Sequence, residues 1–577
     1  MKLFRFTKGY RKETVLSPVF KLAEAILELL IPLIVAKIID YAIPAGDTGY
    51  IVKMICLMAA LGAVGFVFAV LGQYFAAKSS AGFGTRMRKE VFDKIESLSY
   101  SDLDRATAPT LINRLNSDSA QAQSGLNIVL RLVLRSPFIV VGAVVMAFTI
   151  DVRSALIFTV TVAALLLASA AVVLAGVPAF RRSQNALDRV TGVTRENMTG
   201  VRVVRAFVRE KEEIKTYDEA TAKHSRLQKI AGNISGALNP ATYVIINTAL
   251  ILILRSGAVR IDAGAMTQGQ VIALYNYMTQ MLVELLKLAG LIVMLSRSWA
   301  CAGRVSAFLN EKTDSKTEVP PCSPSVPCGG DVPRVRFDNV SAGYGEGSEP
   351  ALSSVSFSAY PGQTVGVIGS TGSGKSTLVD LIPRFYDVRS GAVLVDGVDV
   401  RETDAASLRG RCGVAPQKAV LFKGTLRDNL LFGNPDATDE ELTEAMRLAC
   451  VDDLLETHGG LDAPVAQYGR NFSGGQRQRL TVARALVRRP EILILDDSSS
   501  ALDYATDAKL RRNIASLDYD PTVFIVSQRT GSVKDADLII VLEDGEVAGI
   551  GRHDELLASC PVYREIHDAV SGGEVSG

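Results

Sequence analysis

The sequence predicts two structural classes joined in one chain: an all-α transmembrane domain of six long helices and, after it, an α/β domain. Three observations predict this. Residues 1–310 hold six long apolar stretches, 311–333 form a proline-rich break, and 334–577 mix charge, glycine and short apolar runs around a strand, a glycine loop and a helix start. A chain of 577 residues exceeds what one hydrophobic core holds, so at least two large units are required.

A helix needs about 20 apolar residues to cross the hydrocarbon core. Stretches of that kind lie at 15–42, 51–77, 126–149, 154–177, 233–255 and 269–296. Six crossings leave both ends of this part on one side. The connections at 43–50, 150–153 and 256–268 carry only Arg153 and Arg260 as cations, whereas 78–125 and 178–232 are long and rich in Lys and Arg. The positive-inside rule then places the long segments and both termini in the cytoplasm. Those segments keep helical periodicity with charged faces, so the membrane helices are expected to run on beyond the bilayer. The basic N-terminus, MKLFRFTKGYRKET, is followed by no apolar core and cleavage site at signal-peptide distance. The first apolar stretch is therefore expected to stay attached as a helix.

Ionisable residues inside such stretches are costly and point either to function or to a buried partner. Glu24 and Glu28 lie one helical turn apart in the first stretch, with Pro32 beyond them. They line a polar cavity suited to cationic amphiphiles, or they form a structural pair bonded to neighbouring helices. Asn276, Gln280, Glu284 and Lys287 in the sixth stretch pose the same choice.

Residues 311–333 contain five prolines and no apolar period, which reads as a linker. The seven cysteines are scattered, including Cys322 and Cys328 in this linker, and suit neither a disulfide framework nor a zinc site. The net charge of +1 carries no basic tail, so no nucleic-acid partner is implied.

From about Arg334 the chain changes character. The β-branched run TVGVIG leads into Gly369, Ser370, Thr371, Gly372, Ser373, Gly374, Lys375, Ser376 and Thr377, then the apolar helix start LVDLI. This is G-x-x-x-x-G-K-S/T in the strand-to-helix context it requires. Glycines let successive backbone N–H groups curl around phosphate oxygens, Lys375 reaches the outer phosphates, and Ser376 holds Mg²⁺. Downstream, EILILDD is a second apolar strand ending in two carboxylates. Asp496 there would orient Mg²⁺ through water and Asp497 would face the γ-phosphate. ATP and Mg²⁺ are therefore the expected ligands.

Phe472, Ser473, Gly474, Gly475 and Gln476, followed by RQR, match the signature L-S-G-G-Q of the ABC exporters except at the first position. The chain resembles that family, with its type IV exporter fold, over nearly its whole length. Tyr344, Gln417 and the run Ser500-Ala501-Leu502-Asp503 stand in the family's order, and residues 196–202 and 205–207 resemble its second cytoplasmic loop. The resemblance implies Tyr344 stacking on adenine and Gln417 sensing Mg²⁺ and γ-phosphate. It also implies cytoplasmic helix ends pressing on the ATPase surface, and a signature loop that completes the site of an opposite domain. By that pattern one chain cannot close a site alone.

Two positions depart from the family. Its catalytic Glu is here Asp497 and its switch His is here Gln528. A general base must come within about 2.6–3.2 Å of the proton it takes, or act through one water. Asp497, one methylene short, is expected to hold the water badly, and Gln528 donates a hydrogen bond but carries no charge. Binding should survive while hydrolysis falters. The pattern resembles the degenerate-site subunit of heterodimeric bacterial multidrug exporters, in which a partner with Glu and His supplies the competent site. A homodimer with slow turnover, an exporter-fold importer of siderophore- or haem-like cargo, and an ATP-gated regulator stay open as alternatives. The expectation is an ATP hydrolase coupled to export of amphipathic or drug-like molecules across a bacterial inner membrane.

Overall fold

The computed structural model describes residues 2–311, 332–344 and 349–571. Most of the expected linker, with Cys322 and Cys328, lies outside the described residues. Contacts divide the chain into two units, Met1–Glu96 with Ala108–Lys312, and Ser97–Thr107 with Thr313–Gly577.

The first unit is helical. Its long helices are α1 Arg11–Lys37, α2 Thr48–Glu96, α3 Ala108–Ile150, α4 Val152–Ala206, α5 Glu210–Asp262 and α6 Gln268–Asn310. Among the described residues, α2 to α5 are long and apolar enough to cross a membrane by length and composition. α1 and α6, also expected as spans, carry Lys21, Glu24, Glu28, Glu284 and Lys287 within their apolar stretches. α2 continues to Glu96 and α4 to Ala206, well past their apolar portions, as the charged periodicity predicts.

Polar side chains close the helix joints. Asp151 caps α4 through Ser154 N at 2.8 Å and pairs with Arg260 of α5. Thr267 and Gln270 form a capping box that starts α6. Asp40, just beyond α1, accepts from Thr267 Oγ1 at 2.6 Å and Gly269 N at 2.7 Å. A Cβ at Gly269 would lie 2.3 Å from Ala36 O, so only glycine permits this approach of α6 to α1.

The ionisable residues of α1 and α6 meet around Arg135 of α3. Its guanidinium donates to Glu28 at 2.6 Å and Glu284 at 2.9 Å, and lies 3.8 Å from Glu24. Lys21 donates to Glu24 at 2.7 Å, Lys287 to Glu284 at 2.9 Å, and Ser136 Oγ to Glu284 at 2.7 Å. Every one of these carboxylates is therefore paired, which is the structural member of the two readings left open for Glu24 and Glu28. In an apolar surrounding, removing one partner of such a pair costs about 3–5 kcal/mol because it strands a buried charge.

Among the described residues the second unit holds two larger sheets and a short antiparallel pair, Gly424–Thr425 with Pro464–Val465. One larger sheet is antiparallel, in the order β2–β1–β4–β5, from β1 Val335–Ala342, β2 Leu352–Ala359, β4 Ser390–Val395 and β5 Val398–Asp399. The other has the order β10–β9–β3–β8–β7–β6. Its strands are β3 Thr364–Gly369, β6 Cys412–Ala415, β7 Ile492–Asp496, β8 Thr522–Ser527, β9 Leu538–Glu543 and β10 Glu546–Gly551. All its neighbours run parallel except β9 and β10. Such strands are apolar on both faces because both are covered. The period-2 alternation sorts them: Ile492, Ile494, Phe524 and Val526 enter one core, Leu493, Leu495, Val523 and Ile525 the other.

Candidate active site

β3 ends at Gly369 and the helix α7, Lys375–Leu381, begins six residues on. The intervening loop needs its glycines: Gly372 and Gly374 have φ of +87° and +95°. A Cβ at Gly374 would sit 2.5 Å from Ala351 O, and one at Gly369 2.2 Å from Leu542 O. Inside the loop, Ser373 Oγ is buried with no hydrogen-bond partner. Lys375 Nζ donates to Gly369 O at 2.8 Å and Ser370 O at 2.6 Å, and burial lowers its pKa.

β7 delivers two carboxylates to the same place. Asp496 accepts from Ser376 Oγ at 3.1 Å, and its pKa is raised by burial, a rise that Asp497 adds to and the Ser376 bond opposes. Asp497 has a left-handed φ of +46°, donates its N–H to Val526 O at 3.0 Å, and accepts from Gln417 Nε2 at 3.4 Å. Gln528 is exposed just beyond β8, the strand beside β7. Its side chain makes no hydrogen bond with the described residues.

The arrangement fits a polyphosphate with a divalent cation. Burial disfavours the charged forms of Lys375 and Asp496, and the buried Ser373 hydroxyl lacks a hydrogen-bond partner. Ser376, Asp496 and Gln417 would hold Mg²⁺, which when bound withdraws charge from the terminal phosphate. Tyr344, expected against adenine, donates or accepts a 2.8 Å bond with Thr377 Oγ1 and meets Tyr386 edge-on at 5.0 Å.

The signature residues are placed apart from this cluster. Ser473 caps α8, Gly474–Val487, in a capping box with Gln476, and Phe472 is buried beside His458 at 5.3 Å. Gly475 packs on the turn after Asp497, where a Cβ would lie 3.0 Å from Ala501 O. Among the described residues no hydrogen bond or ion pair joins Phe472–Gln476 to the glycine loop.

Two features escaped sequence reasoning. Within the second unit, Tyr100 of the helix Tyr100–Ala106 stacks on Phe385 at 4.3 Å, and Tyr386 Oη donates to Asp104 at 2.7 Å. An aromatic side chain in an otherwise charged stretch was the one available signal. Asp380, on α7, is pushed up to about 7 by burial first, then by Asp496 and Asp104. The folded chain thus keeps this proton between the ordinary value of 3.8 and about 7, where the unfolded chain has released it. Stability falls as pH rises through that window. Asp380→Asn is expected to raise the thermal midpoint more at pH 8 than at pH 5; equal shifts at the two pH values would contradict the assignment.

Comparisons with known proteins extend this geometry. The family model for the ABC transporter transmembrane region matches residues 14–285, and the ABC transporter model matches 352–500. An uncharacterised ABC transporter ATP-binding protein of Mycobacterium tuberculosis is 37% identical, over 97% of this chain and 96% of its own. A fatty acid ABC transporter ATP-binding/permease protein of Mycobacterium bovis is 33% identical over 83% and 75%. A bacterial Atm1-family ABC exporter with ATP bound shares the fold, with a TM-score of 0.78 at 23% identity, covering 96% of this chain and 97% of that one.

Proposed function

Because this chain belongs to the ABC transporter family, with transmembrane and ATPase regions in one polypeptide, we propose that it is the degenerate-site half of a heterodimeric exporter. ATP hydrolysis coupled to transport is the activity of the family; the division of labour between two halves is the proposal. The boundaries 1–310, 311–333 and 334–577 serve as membrane domain, linker and nucleotide-binding domain. Both termini are assigned to the cytoplasmic side of a bacterial inner membrane.

One observation carries the reading. The glycine loop, Ser376, Asp496 and the capped signature helix are complete, while the two positions that act on the attacking water are Asp497 and Gln528. Gly369–Thr377 would hold the phosphates, Tyr344 the base, and Asp496 with Ser376 and Gln417 the metal. Asp497 already shares a bond with Gln417 but is one methylene short of a family Glu. Ser473, Gly474 and Gly475 would complete the partner's hydrolytic site. The exposed apolar tip of α4, with Met198, Val203 and Phe207, supports a second half-transporter to cover it. The cargo is taken as amphipathic or drug-like, in keeping with a relative named for fatty acids.

ATPase activity of the purified chain, alone and with its partner half, tests this. Activity should appear only with the partner and disappear when the partner's catalytic Glu is changed to Gln. Comparable hydrolysis by this chain alone would mean that Asp497 and Gln528 suffice for catalysis and would favour a homodimer instead.

A further inference from the structure

The ionisable residues packed between α1, α3 and α6 do not cancel. Lys21, Arg135 and Lys287 balance Glu24, Glu28 and Glu284. Arg131 of α3, one turn before Arg135, is a further cation. It is half-buried, and among the described residues no carboxylate pairs with it. Its Nη1 donates to Asn127 Oδ1 at 3.4 Å, and its Nε is buried with no hydrogen-bond partner. Asn127 in turn donates to Ser80 Oγ at 3.2 Å, so the neighbours that bond to this guanidinium are neutral.

The backbone is unusual at the same point. Val129–Val133 is a π-helical turn inside α3. Such turns interrupt the regular hydrogen-bond ladder of a helix and are frequent at functional sites. A partly buried guanidinium without a counter-charge inside an apolar stretch is costly and needs an anion. Its five donors in a planar fork match a carboxylate or phosphate.

We propose that Arg131, with Asn127 beside it, forms a subsite for the anionic headgroup of an amphiphile, a carboxylate or phosphate on an apolar tail. This rests on the reading of the first unit as the membrane half that carries cargo. It replaces the cationic preference that Glu24, Glu28 and Glu284 suggested from sequence, because those carboxylates are occupied by Lys21, Arg135 and Lys287. The headgroup belongs either to the transported molecule or to a resident bilayer lipid.

Equilibrium binding to the purified pair in phosphatidylcholine nanodiscs tests the subsite. Laurate and dodecyl phosphate should bind at least about tenfold more tightly than dodecyltrimethylammonium. Arg131→Gln should erase that preference, and Arg131→Lys should keep most of it. Tighter binding of the ammonium probe by the unaltered pair, or equal anion affinity with and without Arg131→Gln, overturns the inference. Adding phosphatidylglycerol separates the sources: a resident-lipid site loses the probe, whereas a cargo site retains it and moves it on ATP addition in proteoliposomes. A pair that binds the anions but moves no amphiphile of any charge strikes the transport reading and leaves the subsite standing.

Discussion

Changing Asp497 to Glu together with Gln528 to His is expected to raise turnover at this chain's own glycine loop by about 10²-fold or more. The added methylene brings a carboxylate within reach of the attacking water, and the imidazole supplies a donor that can carry charge toward the γ-phosphate. One cost opposes the gain. Asp497 has a left-handed φ of +46°, a conformation that Asp enters more readily than most residues and that costs others about 1–2 kcal/mol. A 10²-fold gain corresponds to about 2.7 kcal/mol of barrier, so the chemistry should win. The measurement uses a partner whose catalytic Glu is Gln, leaving this chain's loop as the site that can turn over. Unchanged turnover in the double variant would mean that something other than these two side chains limits the site.

The second large effect concerns the signature. Asp caps helices as well as Ser does, so Ser473→Asp should leave α8 intact and the thermal midpoint within a degree or two. It would nonetheless place a carboxylate against the phosphate held by the partner, and hydrolysis by the pair should fall by more than about 10²-fold. Ser473→Ala, which loses the cap and about 1 kcal/mol of stability, should reduce hydrolysis less. This ordering separates the two roles. If the Asp variant hydrolyses ATP like the unaltered pair, the signature does not meet the partner's phosphate, and the composite-site reading fails.

The glycine loop, the β7 carboxylates and the signature were legible because each is a contiguous motif whose chemistry is local. Gly372 and Gly374 need positive φ, Lys375 follows them directly, and Asp496 ends an apolar strand whose alternation is visible without any fold. The accommodation of charge within α1 and α6 was not legible. For Glu28 and Glu284 the sequence left a cavity lining and a structural pairing both open, because the residue that pairs both is Arg135, 107 and 149 positions away in the chain. The stacking of Tyr100 on Phe385 likewise spans segments remote in sequence.

What the sequence by itself determined was the class of each unit, the nucleotide-binding motifs and the two departures from the family pattern, Asp497 and Gln528, since these depend on periodicity and on residues adjacent along the chain. What only the tertiary structure decided was the pairing of charges between α1, α3 and α6, the lack of a carboxylate partner for Arg131 among the described residues, and the raised proton affinity of Asp380. Each of those is set by which side chains and how little water surround a group. In a low-dielectric interior, a neighbour a few ångströms away outweighs any property of the residue itself.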